Sequence, residues 1–267
     1  MFERDFHQKI YIVLSHVNAQ FLASCRTYFG GGTLVSLRHG EYRLSQDIDF
    51  MCPIGLGYRQ LRQGIIDEGY KAIFRRFDQI LLPREIQANQ YGIRFPVVVD
   101  ESQIKFEIVV EGYIQFGSPE YPSWLPVPCL NKTDSFAEKL LANADRWADR
   151  RKDSRDIIDL SMQRLAEPIP AEAIAKAENA YPVIEPLNRA IQNFQQKPEY
   201  RAECFKRLMV KEPRKIIDGL DLLASDFGNE ATVRSFSESN WDYLDYPEAQ
   251  PNQNEDDRIS NDEDLEI

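Results

Sequence analysis

The sequence contains few of the residues that build disulfide frameworks or zinc sites. It has four cysteines (Cys25, Cys52, Cys129 and Cys204) and three histidines, with no CxxC pair and no histidine cluster beside a cysteine. Such scattered thiols exclude a disulfide-stapled fold and a cysteine–histidine zinc site. They fit a protein of the reducing cytoplasm.

Long apolar runs are missing as well. No uninterrupted apolar stretch approaches the length of about 18 residues that a membrane-spanning helix needs. The N-terminal sequence MFERDFHQKIYIVLSHV mixes acidic and basic residues before its apolar positions. It also lacks the small-residue cleavage site of a secretory signal. We therefore expect a cytoplasmic protein that neither enters nor crosses a membrane.

The net charge of −11 is concentrated at the C-terminal end of the chain. From Asp242 onward, ten acidic residues stand against the single base Arg258, so this end carries −9 and the remainder −2. A nearly neutral remainder can still hold a basic cleft, so the total charge does not exclude a nucleic acid as partner.

The first half of the chain combines helical and strand patterns. With 43% hydrophobic residues among 267, the chain can fill one large domain or two modest ones. Two β-branched runs, YGIRFPVVVD and IKFEIVVEG, are joined by a short polar turn and predict a hairpin. The other elements predicted in this half are helices over 7–29, 33–40 and 58–77 and a strand over 45–51.

The second half is helical after a proline-rich stretch. In TDSFAEKLLANADRWADR we predict a helix capped by Asp134 or Ser135, since Ser135 and Glu138 have capping-box spacing. SRDIIDLSMQRLA predicts another helix, and 170–225 two or three more. We therefore predict an α/β (α+β) protein with an α/β domain over 1–117 carrying a mixed sheet, a connection over 118–130, a helical domain over 131–228 and an acidic disordered tail over 229–267.

The stretch GGGTLVSLRHGEYRLSQDIDFM, residues 30–51, concentrates the chemistry. Alternation along the predicted strand places Asp47 and Asp49 on one face, with Ile48 and Phe50 packing behind them. Two carboxylates this close repel each other unless a cation neutralises them. A hard divalent cation, Mg²⁺ or Mn²⁺, is the ligand that such oxygen donors favour.

The glycines of the same stretch suit a phosphate. Gly30, Gly31 and Gly32 let the backbone approach a ligand closely, and Thr33 starts a helix whose free amide groups and dipole favour anions. A triphosphate between this turn and a cation on the aspartates has the layout of a nucleotidyl transfer site.

A third carboxylate usually completes such a cation site. In IKFEIVVEG, Glu107 lies on the strand face opposite Phe106 and Ile108, which makes it the first candidate. Asp100 in the turn and Glu111 at the strand end are the weaker alternatives.

A polar stripe follows on the first helix after the connection. Lys139, Asn143, Arg146 and Arg150 recur at helical spacing, opposite an apolar stripe, and Arg151, Lys152 and Arg155 extend it. The stripe can face a triphosphate or an RNA backbone across a cleft. A solvated helix face is the alternative interpretation.

Three blocks, GGTLVSLRHGEYRLSQDIDF, EKLLANADR and RDIIDL, together resemble the nucleotidyltransferase toxins of the AbiEii/AbiGii type. These proteins belong to type IV toxin–antitoxin systems and have the DNA polymerase β-like nucleotidyltransferase fold. The resemblance covers roughly residues 20–165 in scattered blocks.

The resemblance implies roles for individual positions. Gly31, Gly32 and Thr33 correspond to the nucleotide-binding turn, and Asp47 and Asp49 correspond to the metal-binding pair, with Glu107 as the third carboxylate. Lys139 corresponds to the helix lysine, and Asp156 and Asp159 correspond to the acidic pair of the last motif. Further nucleotide-binding candidates are Arg38, Ser45, Lys139 and Arg146.

The implied activity is a metal-dependent transfer of a nucleoside monophosphate from a nucleoside triphosphate, such as ATP, to an acceptor hydroxyl. The acceptor implied by the resemblance is RNA, at the 3′ end of tRNA, and a cognate antitoxin is the implied partner. Two alternatives stay open: a small-molecule transferase of the antibiotic-modifying type, and a catalytically silent module that binds a nucleotide or a partner.

Overall fold

A computed structural model describes residues 2–234 of the protein. The predicted acidic tail therefore lies outside the described residues from position 235 onward. Within 2–234 no helix has both the length and the apolar character needed to cross a membrane. The described helices are α1 (Asp5–His16), α2 (Ala19–Ser24), α3 (Gly31–Arg38), α4 (Leu56–Glu68), α5 (Tyr70–Ile73), α6 (Lys132–Arg146), α7 (Arg155–Ala166), α8 (Ala171–Ala180), α9 (Ile184–Gln195), α10 (Pro198–Arg207) and α11 (Pro213–Asp226).

Five strands form one mixed sheet in the described part of the chain. They are β1 (Tyr28–Phe29), β2 (Asp47–Pro53), β3 (Gln87–Ala88), β4 (Gly92–Val99) and β5 (Ser102–Glu111). The spatial order is β1-β2-β5-β4-β3, in which β2 and β5 run parallel and every other pair runs antiparallel. The predicted mixed α/β architecture and the β4–β5 hairpin are thus confirmed.

An aromatic core behind the sheet holds β2 and β5 together. Phe50 of β2 stacks on Phe106 of β5 with ring centroids 5.4 Å apart, and Phe106 stacks on Phe95 of β4 at 4.7 Å. All three rings are buried. Because side chains alternate along a strand, burial of this face directs the aspartates of β2 to the opposite one.

Two of the predicted helices are each divided in the structure. The predicted helix 7–29 is α1, α2 and the strand β1, because the chain is extended at Val17 and Asn18 caps a new helix by accepting a hydrogen bond from the Phe21 amide. The predicted helix 58–77 is interrupted at Gly69, which has a φ of 59°. Apolar spacing continued across both breaks, so periodicity alone missed them.

Helix α6 begins one turn earlier than predicted, and its cap is a different residue. The side chain of Asn131 accepts a hydrogen bond from the Asp134 amide at 2.9 Å, so Asn131 is the cap and the proposed box of Ser135 and Glu138 is wrong. Asp134 instead accepts from the Gly117 amide at 2.7 Å, which ties α6 to the connection. Region 170–225 holds four helices, one more than the largest number predicted.

The connection over 118–130 runs alongside the sheet. Cys129 bridges Phe29 of β1 on one side and Glu120 on the other. The division into separate domains on either side of this connection stays a prediction. All four cysteines are buried free thiols.

A buried carboxylate ties the N-terminus to the loop before β2. Glu41 accepts hydrogen bonds from the amides of Glu3 (2.6 Å) and Arg4 (3.1 Å), and its Oε1 lies 2.8 Å from His7 Nδ1. His7 Nε2 in turn accepts from the Ser45 amide, so the ring carries its proton on Nδ1. Burial opposes the charge of Glu41, but the hydrogen bonds outweigh it and lower its pKa to about 2.

We expect Glu41→Gln to lower the free energy of unfolding at pH 7 by about 3 kcal/mol, since a depressed carboxylate pKa stabilises the folded state above the unfolded pKa. The stabilisation is lost as pH falls through the folded pKa, so the difference from wild type should shrink to less than half of that by about pH 3. Urea unfolding of both proteins at several pH values measures this. A difference that is the same at pH 3 and pH 7 would contradict it.

Candidate active site

The glycine turn packs directly against the second aspartate of β2. The Gly30 amide donates to the Asp49 carbonyl at 2.8 Å. Gly31 has a φ of 68°, and a β-carbon there would stand 2.4 Å from Asp49 Oδ2. Only glycine meets both the backbone and the space requirement at this position.

The same turn begins helix α3, which has no side-chain cap at its first residue. Gly31 and Gly32 line a cavity of about 430 Å³. The positive end of the helix dipole and its first amide groups therefore stand at the cavity wall, where they favour an anion.

Parallel pairing of β2 with β5 assembles the carboxylates. Asp49 pairs with Glu107 and Asp47 with Lys105 in the strand register. Asp47, Asp49 and Glu107 all line the cavity. Burial, followed by the negative charges of Asp47 and Glu107, raises the pKa of Asp49 to about 7. The repulsion expected from the sequence is present and, together with burial, makes Asp49 favour a proton or a cation.

Glu107 already has two cationic partners. Its Oε1 lies 2.7 Å from Arg94 Nε, and its Oε2 lies 2.6 Å from Lys105 Nζ. Among the described residues, no group of three or more histidine, cysteine, aspartate or glutamate side chains has the geometry of a metal site. Asp47 and Asp49 are thus side by side, while the third carboxylate is engaged by cations.

A buried ion pair lies directly beneath the glycine turn. Arg43 donates to Asp159 from Nε at 2.6 Å and from Nη2 at 2.8 Å, and Tyr42 donates to the same carboxylate at 2.5 Å. A β-carbon on Gly32 would stand 2.3 Å from Arg43 Nη2. Burial opposes ionisation of Asp159, but Arg43 and Lys139 outweigh it and lower its pKa.

Lys139 belongs to this buried network. Its Nζ lies 3.3 Å from Asp156 and 3.4 Å from Asp159, and the residue is only 2% exposed. Arg146 completes the network with two hydrogen bonds to Asp156, at 2.6 and 2.8 Å. Burial opposes the charge of Lys139, yet the surrounding acids raise its pKa.

The predicted polar stripe of α6 is therefore not one solvent-facing surface. Lys139 and Asn143 are buried, because α7 packs against that side of α6 and supplies the two aspartates. Lys139 and Arg146 still line the cavity. The charge of Lys139 is balanced by protein carboxylates, which the spacing of residues along α6 could not reveal.

Of the other three predicted nucleotide-binding residues, Ser45 lines the cavity, whereas Thr33 and Arg38 do not. Ser45 lines the cavity, and its Oγ lies 2.8 Å from Thr33 Oγ1. Thr33 is fully buried and donates to the Asp47 carbonyl at 2.5 Å, so its side chain positions β2 and does not line the cavity. Arg38 is directed elsewhere, pairing with Glu120 and donating to the Leu130 carbonyl.

The cavity has further wall residues that the sequence did not single out as site residues. Glu138 lines it with a buried Oε2 that has no hydrogen-bond partner. The sequence pattern around Glu138 indicates a capping box with Ser135, and this local interpretation masks its position at the cavity. The other additions are Arg43, Met51, Lys105, Val109, Val110, Tyr113, Leu141, Ala142, Asp145 and Tyr181.

Two cations at the cavity wall differ from Lys139 in having no ion pair among residues 2–234. Lys152 and Arg155 line it, and neither forms an ion pair within the part of the chain that the structure describes. Burial and repulsion by Arg155 and Arg146 lower the pKa of Lys152. Two neighbouring cations at a cavity wall, neither held in an ion pair by a described residue, attract an anion.

We expect Lys139→Met to lower the free energy of unfolding by about 3 to 5 kcal/mol, because it removes the buried cation that Asp156 and Asp159 share and leaves the network one positive charge short. Lys152→Met should change it by less than about 0.5 kcal/mol, since the lysine has no partner to lose. Denaturant unfolding of the two variants tests the contrast. Equal stability of both would show that the buried network does not support the fold.

Comparisons with solved structures find distant relatives. JHP933 of Helicobacter pylori has 14% sequence identity, covering 85% of this chain and 95% of its own, with a TM-score of 0.49. A nucleotidyltransferase-like antigenic protein of Paracoccidioides brasiliensis has 16% identity, covering 74% of this chain and 93% of its own, with a TM-score of 0.44. No curated protein matches the chain.

Comparison with protein families gives a match over most of the chain. Residues 12–215 match the family described as nucleotidyl transferase AbiEii toxin of type IV toxin–antitoxin systems. The matched region includes the glycine turn, both aspartates of β2, Glu107 and the whole buried ion-pair network. The chain therefore belongs to the AbiEii family of nucleotidyltransferase toxins.

Proposed function

We propose that the cavity transfers a nucleoside monophosphate from a nucleoside triphosphate to a hydroxyl group of RNA, with the 3′ end of tRNA as the acceptor. One observation carries the proposal: Asp47 and Asp49 line the same cavity as the uncapped start of α3, and Gly31 touches Asp49. A cation site and a phosphate site are thus in direct contact.

The donor set fits a hard divalent cation. Asp47 and Asp49 offer carboxylate oxygens on one strand face, and burial together with repulsion by Asp47 and Glu107 raises the pKa of Asp49 to about 7. Mg²⁺ or Mn²⁺ would be held by these two residues and would neutralise the phosphate oxygens of the nucleotide. Glu138 also lines the cavity, and its buried Oε2, which accepts no hydrogen bond from the described residues and lies 3.8 Å from Lys139 Nζ, is an additional acceptor.

In the reaction, the acceptor oxygen forms a bond to the α-phosphorus while the bond to the bridging oxygen breaks and pyrophosphate leaves. The amides of Gly31 and Gly32 hold phosphate oxygens at the start of α3. Lys152 and Arg155 balance the negative charge of the leaving pyrophosphate. Glu107 orients the attacking hydroxyl and accepts its proton, exchanging one of its two cationic partners for the acceptor.

The buried network has a positioning role in this proposal. Lys139 and Arg43 hold α6, α7 and the segment before β2 around the glycine turn through Asp156 and Asp159. Membership in a toxin–antitoxin family implies a cognate antitoxin as functional partner. We place the reaction in the cytoplasm, where nucleoside triphosphates and RNA are available.

The direct test incubates the full chain with each α-³²P-labelled nucleoside triphosphate, Mg²⁺ or Mn²⁺, and either total cellular RNA or a small-molecule extract. We expect pyrophosphate release and label in the tRNA fraction. Label in small molecules alone would favour the antibiotic-type alternative. Absence of pyrophosphate release with every nucleotide would favour the silent binding module.

We expect Asp49→Asn to lower transfer about 1000-fold, because the variant loses a cation ligand. Its free energy of unfolding should stay unchanged or rise, since burial and neighbouring acids oppose the Asp49 charge. The matched control is Asp100→Asn in the β4–β5 turn, which does not line the cavity and should keep full activity. Normal transfer by a folded Asp49→Asn variant would refute the proposed mechanism.

Lys152 and Arg155 at the cavity wall lead to a separate prediction. Lys152→Ala and Arg155→Ala should each raise KM for the nucleotide or lower kcat by about 10-fold, because each removes one charge near phosphate. Arg151→Ala is the matched control, since Arg151 is 84% exposed and pairs with Asp149. Steady-state kinetics of the three variants measures the effect. Identical constants for all three would mean that the phosphates lie elsewhere in the cavity.

A further inference from the structure

The cavity has chemically different ends. At one end are Asp47, Asp49 and the glycine turn. The other, more apolar end is lined by Val109, Val110, Tyr113, Leu141, Ala142 and Tyr181, and the carboxylates of Glu111 and Asp145 stand there beside Tyr181. The proposed phosphate and cation chemistry uses only the first end, and nothing in it requires an aromatic wall.

The cavity has two long walls, β5 and α6. Along β5 the lining residues run from Glu107 through Val109, Val110 and Glu111 toward Tyr113, and along α6 they are Lys139, Leu141, Ala142, Asp145 and Arg146. Glu107 and Glu111 are four residues apart, or about 13 Å along an extended strand. Because Asp49 pairs with Glu107, the end of β5 near Tyr113 is far enough from Asp49 for a nucleotide to lie between them.

Two tyrosines close the apolar end. Tyr113 and Tyr181 meet edge to face, with ring centroids 5.7 Å apart and planes at 85°. Tyr181 donates a hydrogen bond to the Leu141 carbonyl at 3.3 Å, which joins it to α6. The amides of Tyr113 and Ile114 both donate to the Glu111 carboxylate, which fixes the backbone just after β5.

Tyr113 keeps most of its ring available. It is 69% exposed although its backbone is held and its ring contacts Tyr181. An anchored aromatic ring that is exposed at the rim of a polar cavity is a surface for a flat ligand. Tyr91 and Tyr121 are similarly exposed, at 66% and 70%, but neither lines the cavity.

We propose that Tyr113, backed by Tyr181, is the stacking platform for the base of the bound nucleoside triphosphate. This inference rests on the proposed function, because the triphosphate occupies the other end of the same cavity. Base stacking on an aromatic side chain is sequence-tolerant, since every base has a π-face. The platform therefore contributes affinity for all four nucleotides and holds the α-phosphorus next to Asp49.

The test compares two kinds of ligand: nucleoside triphosphates, and tripolyphosphate, which lacks the nucleoside. Equilibrium dissociation constants for ATP, GTP, CTP and UTP, and for inorganic tripolyphosphate, are measured by calorimetry on the full chain with Mg²⁺ and no acceptor. We expect Tyr113→Ala to weaken binding of the nucleotides by about 10- to 100-fold. Its dissociation constant for tripolyphosphate should stay within about twofold of wild type, because the phosphates do not touch the ring.

Two further variants control the interpretation. Tyr113→Phe keeps the ring and should bind nucleotides within about threefold of wild type, since stacking does not need the hydroxyl. Tyr121→Ala removes an equally exposed tyrosine outside the cavity and should change nothing. Thermal unfolding of each variant verifies that the fold is retained.

The outcomes separate the inference from the proposed function. If wild type binds nucleotides and Tyr113→Ala binds them equally well, the platform is wrong and the nucleotide site stands. If Tyr113→Ala loses nucleotide and tripolyphosphate affinity to the same extent, the residue supports the cavity and does not contact the base. If wild type binds neither probe, the proposed function and the platform are both overturned.

Discussion

The buried ion pair between Arg43 and Asp159 is the interaction on which the site depends. It joins the segment before β2 to α7, and it lies so close to the glycine turn that a β-carbon on Gly32 would meet Arg43 at 2.3 Å. Lys139 extends it to Asp156 and so to α6. Isolated charges at these depths would be strongly destabilising, so each holds its neighbour in place. The arrangement makes the position of the glycine turn a consequence of helix packing.

The parallel pairing of β2 and β5 is the second constraint. An aromatic core on one face of the sheet directs alternate side chains to the other, where Asp49 stands beside Glu107. Burial and the resulting repulsion raise the pKa of Asp49, and both destabilise the charged carboxylate without contributing to the stability of the fold. Stability and function therefore separate at this point. Every charged group of the ion-pair network beneath the turn has a partner of opposite sign, whereas Lys152 and Arg155 at the cavity form no ion pair among the described residues.

Much of the fold follows from local pattern. The β4–β5 hairpin and helices α6 and α7 were predicted because their periodicity is strong and their boundaries are marked by turns or caps. The boundary between α1 and α2 was missed because apolar spacing continues through Val17. The cap of α6 was misplaced for a related reason, since Asn131 and Ser135 both have capping side chains and only the backbone path distinguishes them.

The sequence by itself determined the family, the glycine requirement and the shared face of Asp47 and Asp49, because each is a property of neighbouring residues or of strand alternation. Tertiary structure decided which charges are balanced. Lys139 and the unpaired Lys152 look alike in sequence, yet α7 supplies two carboxylates to the first and none to the second. Likewise, Tyr113 and Tyr181 are 68 positions apart and meet only because the end of β5 lies beside the segment after α8. Long-range packing brings such partners together, and no spacing within one element encodes it.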